Sequence, residues 1–284
     1  MLQSRPERMR AAEWINTVVF SFFMALAWHR RLPRRRRANV TVIGMVALAA
    51  TFLSACVVSR LVAPLAASVA RDWLPAALLL LVYWQAGQFF LRVDENAQRR
   101  LARLDERTVA PALKWCARQP GGGWLMAYLE CAYLFCYPLV PCALATLYLL
   151  RRGHEADHFW TVVLGSSYAC YIMVPFIQTL PPRMLAERQG APLPPTRVRT
   201  FNLWILRNAS IQANTFPSAH VAASMACALV LLRLNPWAGL AFLFVAISIA
   251  LGAVAGRYHY LADAIAGTAL ALAVFLLETG FGRS

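Results

Sequence analysis

Two of the five histidines in this 284-residue chain stand at the heads of long apolar segments. One closes the run Phe216-Pro217-Ser218-Ala219-His220, and the other opens His259-Tyr260-Leu261-Ala262-Asp263. An ionisable side chain at the mouth of a membrane helix is costly, and by default marks a functional site. His259 and Asp263 are four residues apart, so a helical turn puts them on one face. A carboxylate at that spacing holds the imidazole in one tautomer and raises its basicity. A second histidine, His220, can then act as proton donor. Such a set can run phosphoryl transfer without a metal.

The residues around the histidines fit an anionic substrate. Ser218, with Pro217 before it, stands where a helix N-cap is expected. The unpaired N–H groups and positive dipole end of the first turn make the Ser218-Ala219 backbone a phosphate cradle. Arg183 and Arg257 are the candidates to neutralise phosphate oxygens, because the guanidinium fork suits that geometry. No Asp/Glu/His grouping has metal-ligand spacing, so neither a metal nor another cofactor is expected. Arginines and helix N–H groups would then carry the transition-state charge.

The elements that position these residues are membrane helices. The chain is 60% hydrophobic and 14% charged. Its net charge of +15 is carried almost wholly by arginine. In a soluble protein that balance would suggest nucleic acid, but here the arginines cluster between apolar segments, as cytoplasmic membrane flanks do, and no nucleic-acid partner is expected. The seven cysteines include no C-x-x-C pair and read as small packing residues.

Spans are expected at about 39–58, 74–92, 124–150, 158–180, 217–234, 236–255 and 261–279. An eighth apolar stretch, Trp14 to Trp28, comes after Arg5, Arg8 and Arg10 and ends Ala25-Leu26-Ala27, which mimics a signal-peptide cleavage site. Six arginines between His29 and Arg37 oppose export of the chain beyond them, so the stretch reads as a retained spanning or interfacial helix. Asp94 to Gly123, with its Glu95/Arg99 pair, reads as a helix lying on the membrane surface. Pro138 and Pro141 should kink the next span.

The connection from Pro181 to Thr215 is long, rich in proline (Pro181, Pro182, Pro192, Pro194, Pro195) and in arginine (Arg183, Arg188, Arg197, Arg199, Arg207). A long ordered loop is uncommon unless functional. It shares a membrane face with residues 256–260, because two spans separate them. The expected architecture is an all-α polytopic membrane protein of seven or eight transmembrane helices in one integrated domain. Residues 1–123 would supply N-terminal helices and the interfacial segment, and 124–284 a six-helix catalytic bundle. Glu130, inside a span, is a further functional hint. His154 and His158 fall on the opposite face and should do no chemistry.

These motifs resemble the type 2 phosphatidic acid phosphatase superfamily, whose members act on lipid phosphates and related esters. The resemblance is strongest over about 124–279. The family's Pro-Ser-Gly-His motif is matched by Pro217-Ser218-Ala219-His220, and its His-x-x-x-Asp by His259 and Asp263. Asn214-Thr215-Phe216 and Pro181-Pro182-Arg183 look like the branch that includes inositol-phosphorylceramide synthases. The resemblance implies that His259 is the nucleophile forming a phosphohistidine, that His220 protonates the leaving alkoxide, and that Asp263 orients His259. It implies a membrane lipid phosphate as substrate. The attacking group would be water in a phosphatase, or a lipid alcohol in a phosphotransferase that moves a phospho-alcohol headgroup between lipids. A transporter or lipid-binding protein that kept the fold without catalysis is the third reading.

Two family positions differ. Phe176 stands seven residues before Arg183, where a lysine is usual, and Ala253 stands six before His259, where an arginine is usual. A multi-pass protein of the bacterial inner membrane is expected. The loops at 29–38 and 93–122, on the catalytic face, are rich in arginine, whereas 59–73 and 151–157 carry only Arg60, Arg71, Arg151 and Arg152. That bias favours a cytoplasmic site, while the family favours a periplasmic or lumenal one. The oligomeric state has no sequence signature.

Overall fold

The computed structural model describes residues 9–58, 61–190, 193 and 196–281. Arg5, Arg8, Arg60, Pro192, Pro194 and Pro195 lie outside the described residues. The chain is helical throughout. In order come α1 (Ala11–His29), α2 (Arg34–Phe52), α3 (Pro64–Gly87), α4 (Glu95–Arg118), α5 (Gly122–Leu134) and α6 (Leu139–Leu149). After these come α7 (Ala156–Met173), α8 (Pro182–Arg188), α9 (Arg197–Ala209), α10 (Ala219–Leu234), α11 (Pro236–Ala255) and α12 (Leu261–Phe281). A wider-wound turn, Leu53–Val58, prolongs α2.

At the centre of the bundle is α10, which packs against α6, α7, α11 and α12. Its sequence is rich in alanine, and Ala222, Ala226, Cys227, Ala228, Val230 and Leu231 are fully enclosed. Small residues let helix backbones approach closely where no aqueous hydrophobic effect drives them together. At Gly267 of α12 a Cβ would lie 2.6 Å from the carbonyl oxygen of Ser218. Any larger residue there would push α12 off the turn that leads into α10.

Among the described residues, five helices are long and apolar enough to cross a bilayer: α1, α2 with its extension, α3, α11 and α12. Counted as one pass, α5 and α6 make a sixth, bent by 70°. The bend falls where Pro138 and Pro141 predict it, since proline removes a backbone donor and clashes with the preceding turn. The expected spans at 158–180 and 217–234 correspond to α7 and α10, two interior helices. α10 has only 16 residues. Enclosed by other helices, these two need not present an apolar surface to lipid; Ser166 and Ser167 of α7 are wholly buried and bond the carbonyls of Val162 and Val163. The stretch expected at Trp14 to Trp28 becomes α1, which meets the spanning criterion.

Polar side chains pin both ends of the bundle. At the end away from the histidines, Arg71 makes two bonds of 2.7 Å to Glu13. Beside them Asp72 pairs with Arg10 and accepts from Tyr148 at 2.5 Å, while Asp157 accepts from the amides of Ala11 and Ala12. At the histidine end, Arg30 donates to the carbonyl of Pro175, and Arg36 to those of Gln88 and Phe90. The basic block after α1 therefore ties the ends of α3 and α7 to the α1–α2 turn, besides adding charge.

Candidate active site

The connection from 181 to 215 is largely helical, being built from α8 and α9. Its return leg pairs with the end of α7 in an antiparallel bridge between Thr179 and Asn214, closed by Asn214 N–H to Thr179 O at 2.8 Å. The chain then enters α10 through Ser218. The Ser218 hydroxyl accepts from Val221 N–H at 3.4 Å, the N-cap expected of it. Ala219 N–H lies 3.5 Å from the Thr215 hydroxyl. Both Ser218 and Ala219 are buried.

His220 leaves the first turn of α10 and meets His259 from the 256–260 turn. His220 Nδ1 and His259 Nε2 are 3.4 Å apart. On the other side of the His259 ring, Nδ1 lies 3.4 Å from Asp263 Oδ2. This is an ion-pair approach and not an aligned hydrogen bond, and Nδ1 has no hydrogen-bond partner among the described residues. The Asp263 carboxylate is itself held by the Tyr260 amide at 2.9 Å. The Tyr133 and Tyr137 rings flank His220, with centroids 6.0 and 6.1 Å away. The three residues that spacing singled out thus form one line, Asp263–His259–His220, with His259 Nε2 as the atom free of the carboxylate.

Arg183 opens α8 and is 6% exposed. Its guanidinium makes no hydrogen bond or ion pair among the described residues, and its charge lies within Coulombic range of His220. A buried cation without a counter-ion is costly, and the arrangement invites an anion. Its own amide donates to the carbonyl of Arg257 at 2.8 Å. Arg257 takes a left-handed backbone conformation, φ 58°. Burial and the nearby charge of Arg199 push the Arg257 guanidinium below its usual range. Ala253, at the family's arginine position, is fully enclosed; its carbonyl accepts from the amides of both Tyr258 and His259.

Two supports hold the site, and sequence reasoning found neither the partners of Glu130 nor the inward contacts of α4. Glu130 of α5 is the hub of the first. Arg199 donates to it at 2.7 Å, Asn202 at 3.2 Å and the Tyr258 hydroxyl at 2.6 Å. Arg199 also donates to Gly256 O at 3.0 Å, and Tyr258 stacks on Tyr133 with centroids 4.0 Å apart. The network ties α5 and α9 to the turn that presents His259. Burial and the Glu130 carboxylate push the Tyr258 phenol up, keeping it a donor. An intramembrane carboxylate predicts a cationic partner, but which arginine, 69 residues away, has no local signal. The second support is α4. Its outer face is exposed, as expected of a surface helix, but Gln98 reaches inward to Leu180 and the Tyr260 hydroxyl, and Asp105 accepts from Leu261 N–H at 3.1 Å.

Two cavities lie near the site. One of about 550 Å³ is walled by Ala76, Leu80, Tyr83, Val140 and Leu206 and reaches His220. The other, about 410 Å³, lies under α4 against Leu113, Leu185, Arg257 and Tyr260. Among the described residues no three His, Cys, Asp or Glu side chains converge as a metal-holding group.

Comparison with protein families matches residues 99–277 to the PAP2 superfamily. No curated protein and no solved structure matches the chain. The matched region is more than half of the chain and includes α5 to α11 and every residue of the site, while α1, α2 and α3 precede it. A chain whose histidine pair, adjacent aspartate Asp263 and buried Arg183 all fall within that match belongs to the PAP2 superfamily.

Proposed function

We propose that this protein is a metal-independent phosphatase of membrane lipid phosphates or pyrophosphates that works through a phosphohistidine. The observation that carries the reading is the line Asp263–His259–His220, with the unpaired, buried Arg183 beside it. In the first step the lone pair of His259 Nε2 attacks phosphorus. The ester P–O bond breaks, and His220 in its protonated form gives its proton to the departing alkoxide. Asp263 holds the His259 ring and stabilises the positive charge it acquires. In the second step neutral His220 takes a proton from water, the oxygen attacks phosphorus, and the P–N bond breaks to restore His259. Arg183, Arg257 and the first-turn amides of α10 offset the charge on the phosphoryl oxygens. The apolar cavity that ends at His220 suits a substrate's hydrocarbon tail.

A second reading replaces water by a lipid alcohol, giving a phosphotransferase of the kind that moves phospho-alcohol headgroups between lipids. The separate cavity against Arg257 and Tyr260 favours it, because hydrolysis needs no second organic site. We assign the protein to a bacterial inner membrane with the histidine end facing the cytoplasm, on the arginine bias of the loops at that end.

The test uses purified protein in detergent micelles with a panel of radiolabelled lipid phosphates. Phosphate release, with label trapped on protein in an acid-labile, base-stable bond, supports the phosphatase. Label passed to an added lipid alcohol supports the transferase. No turnover and no labelled protein across the panel would leave the chain a non-catalytic member.

A further inference from the structure

The N-terminus of α12 is capped from another part of the chain. Leu261 N–H, one of the donors a helix start leaves unpaired, donates to Asp105 Oδ1 across 156 residues of sequence. Two residues further along α12 is Asp263, whose carboxylate holds the Tyr260 amide and approaches His259. Two turns back along α4, Gln98 bonds the Tyr260 hydroxyl and both accepts from and donates to the backbone of Leu180. The inner face of α4 thus clasps both sides of the turn that carries the nucleophile.

We propose that Asp105 is a positioning residue for catalysis: by accepting the Leu261 amide it fixes the first turn of α12, and with it the distance from Asp263 to His259. Asp105 does not touch the reacting atoms. Its effect is on the orientation of the His259 ring and so falls on kcat, with KM for the lipid little changed. The proposal rests on the phosphohistidine reading of the site.

The surroundings of Asp105 make the clasp sensitive to protons. Glu106 and Lys114 on α4, Arg257 and Tyr260 on the turn, and Asp263 on α12 are the charged and titratable groups about it, while α8 presents Leu185, Ala186 and Gln189 to the same cavity. Burial, opposed by the Leu261 hydrogen bond and reinforced by the charge of Asp263, raises the Asp105 carboxyl to about 6. Below that pH the acceptor is a neutral carboxyl, and its bond to the amide loses charge assistance.

The experiment compares the parent chain with Asp105→Asn, Asp105→Ala and the exposed control Arg107→Ala, in micelles with the lipid phosphate that the parent turns over. Asn keeps an acceptor oxygen but cannot ionise, so it copies the protonated form. At pH 7.5, Asp105→Ala should lower kcat by about tenfold or more and Asp105→Asn by a few-fold, with KM within twofold and Arg107→Ala silent. The parent-to-Asn ratio of kcat should shrink towards one as pH falls through 6, which cancels any titration of the histidines themselves. Equal kcat in all four proteins, a change confined to KM, or a pH-independent ratio would overturn the proposal. Amide hydrogen exchange gives a readout independent of turnover. Residues 260–263 should exchange faster in Asp105→Ala than in the parent while α11 is unchanged, and unaltered exchange there would also overturn it. If the parent itself proves inactive, the phosphatase reading fails, and the exchange result still decides whether Asp105 holds the turn.

Discussion

The amide of Ser218 donates to the carbonyl of Asp263 at 3.0 Å, so the turn that launches His220 and the helix that carries Asp263 are bonded backbone to backbone. Gly267 allows the approach one turn further along α12. Two motifs 39 residues apart at their histidines are thereby held as one rigid unit.

The proposed nucleophile is tested by His259→Ala, which should abolish turnover and phosphoenzyme labelling while the protein keeps its thermal transition in detergent. Asp263→Asn should lower kcat by about 10²-fold or more, because the ring loses its orienting charge. A purified His259→Ala protein with parental activity would remove the mechanism.

Arg183 separates function from stability. Its guanidinium is buried without a counter-ion among the described residues, so Arg183→Ala should leave Tm unchanged or raise it. The same change should cost about 2–4 kcal/mol in kcat/KM, the scale of one lost charge-stabilising donor. Arg183→Lys should recover little, as an ammonium lacks the fork. Arg257→Ala should show a loss of the same kind. A lowered Tm with intact kcat/KM in Arg183→Ala would make it a structural residue.

Glu130 should behave in the opposite way. Glu130→Ala strands Arg199 in the interior, and removing one partner of such a pair costs about 3–5 kcal/mol. A marked fall in Tm is expected, read by thermal denaturation in detergent. Replacing both residues together, Glu130→Gln with Arg199→Gln, should destabilise less than Glu130→Ala alone. Parental Tm in Glu130→Ala would show the network to be idle.

Turnover should persist at its untreated level in excess EDTA. The charge-bearing groups about the histidine pair are arginines and backbone amides, and these need no metal to act. Activity lost to the chelator and restored by magnesium or zinc would contradict the proposed chemistry.

The orientation can be settled with a single engineered cysteine. With the seven native cysteines replaced by serine, Gln119→Cys, at the exposed end of α4, should react with an impermeant maleimide only after the cells are opened. Labelling in intact cells would put the histidine end outside.

Much of the site was legible because its chemistry is local. The four-residue spacing of His259 and Asp263, the Pro217-Ser218 helix start and the prolines at 138 and 141 each act within one turn of chain, and each is found where its spacing put it. The phosphate arginines were chosen by proximity to those turns, and only the fold distinguishes unpaired Arg183 from Arg199, bound to Glu130. Gln98 and Asp105 left no trace in the sequence, since amphipathic periodicity shows that α4 has an inner face but not what that face touches. The placing of α7 and α10 was hidden for a related reason. Hydropathy reports what a helix is made of, whereas these two are screened from lipid by their neighbours.

The ring nitrogens of His220 and His259 are each other's nearest partners. A phosphate that enters must part them and forfeit that contact, and a phosphate that leaves restores it. The histidine pair is thereby a competitor of its own product. In the proposed cycle this tilts the last step towards release, so the grip on substrate must come from Arg183 and the apolar cavity rather than from the histidines.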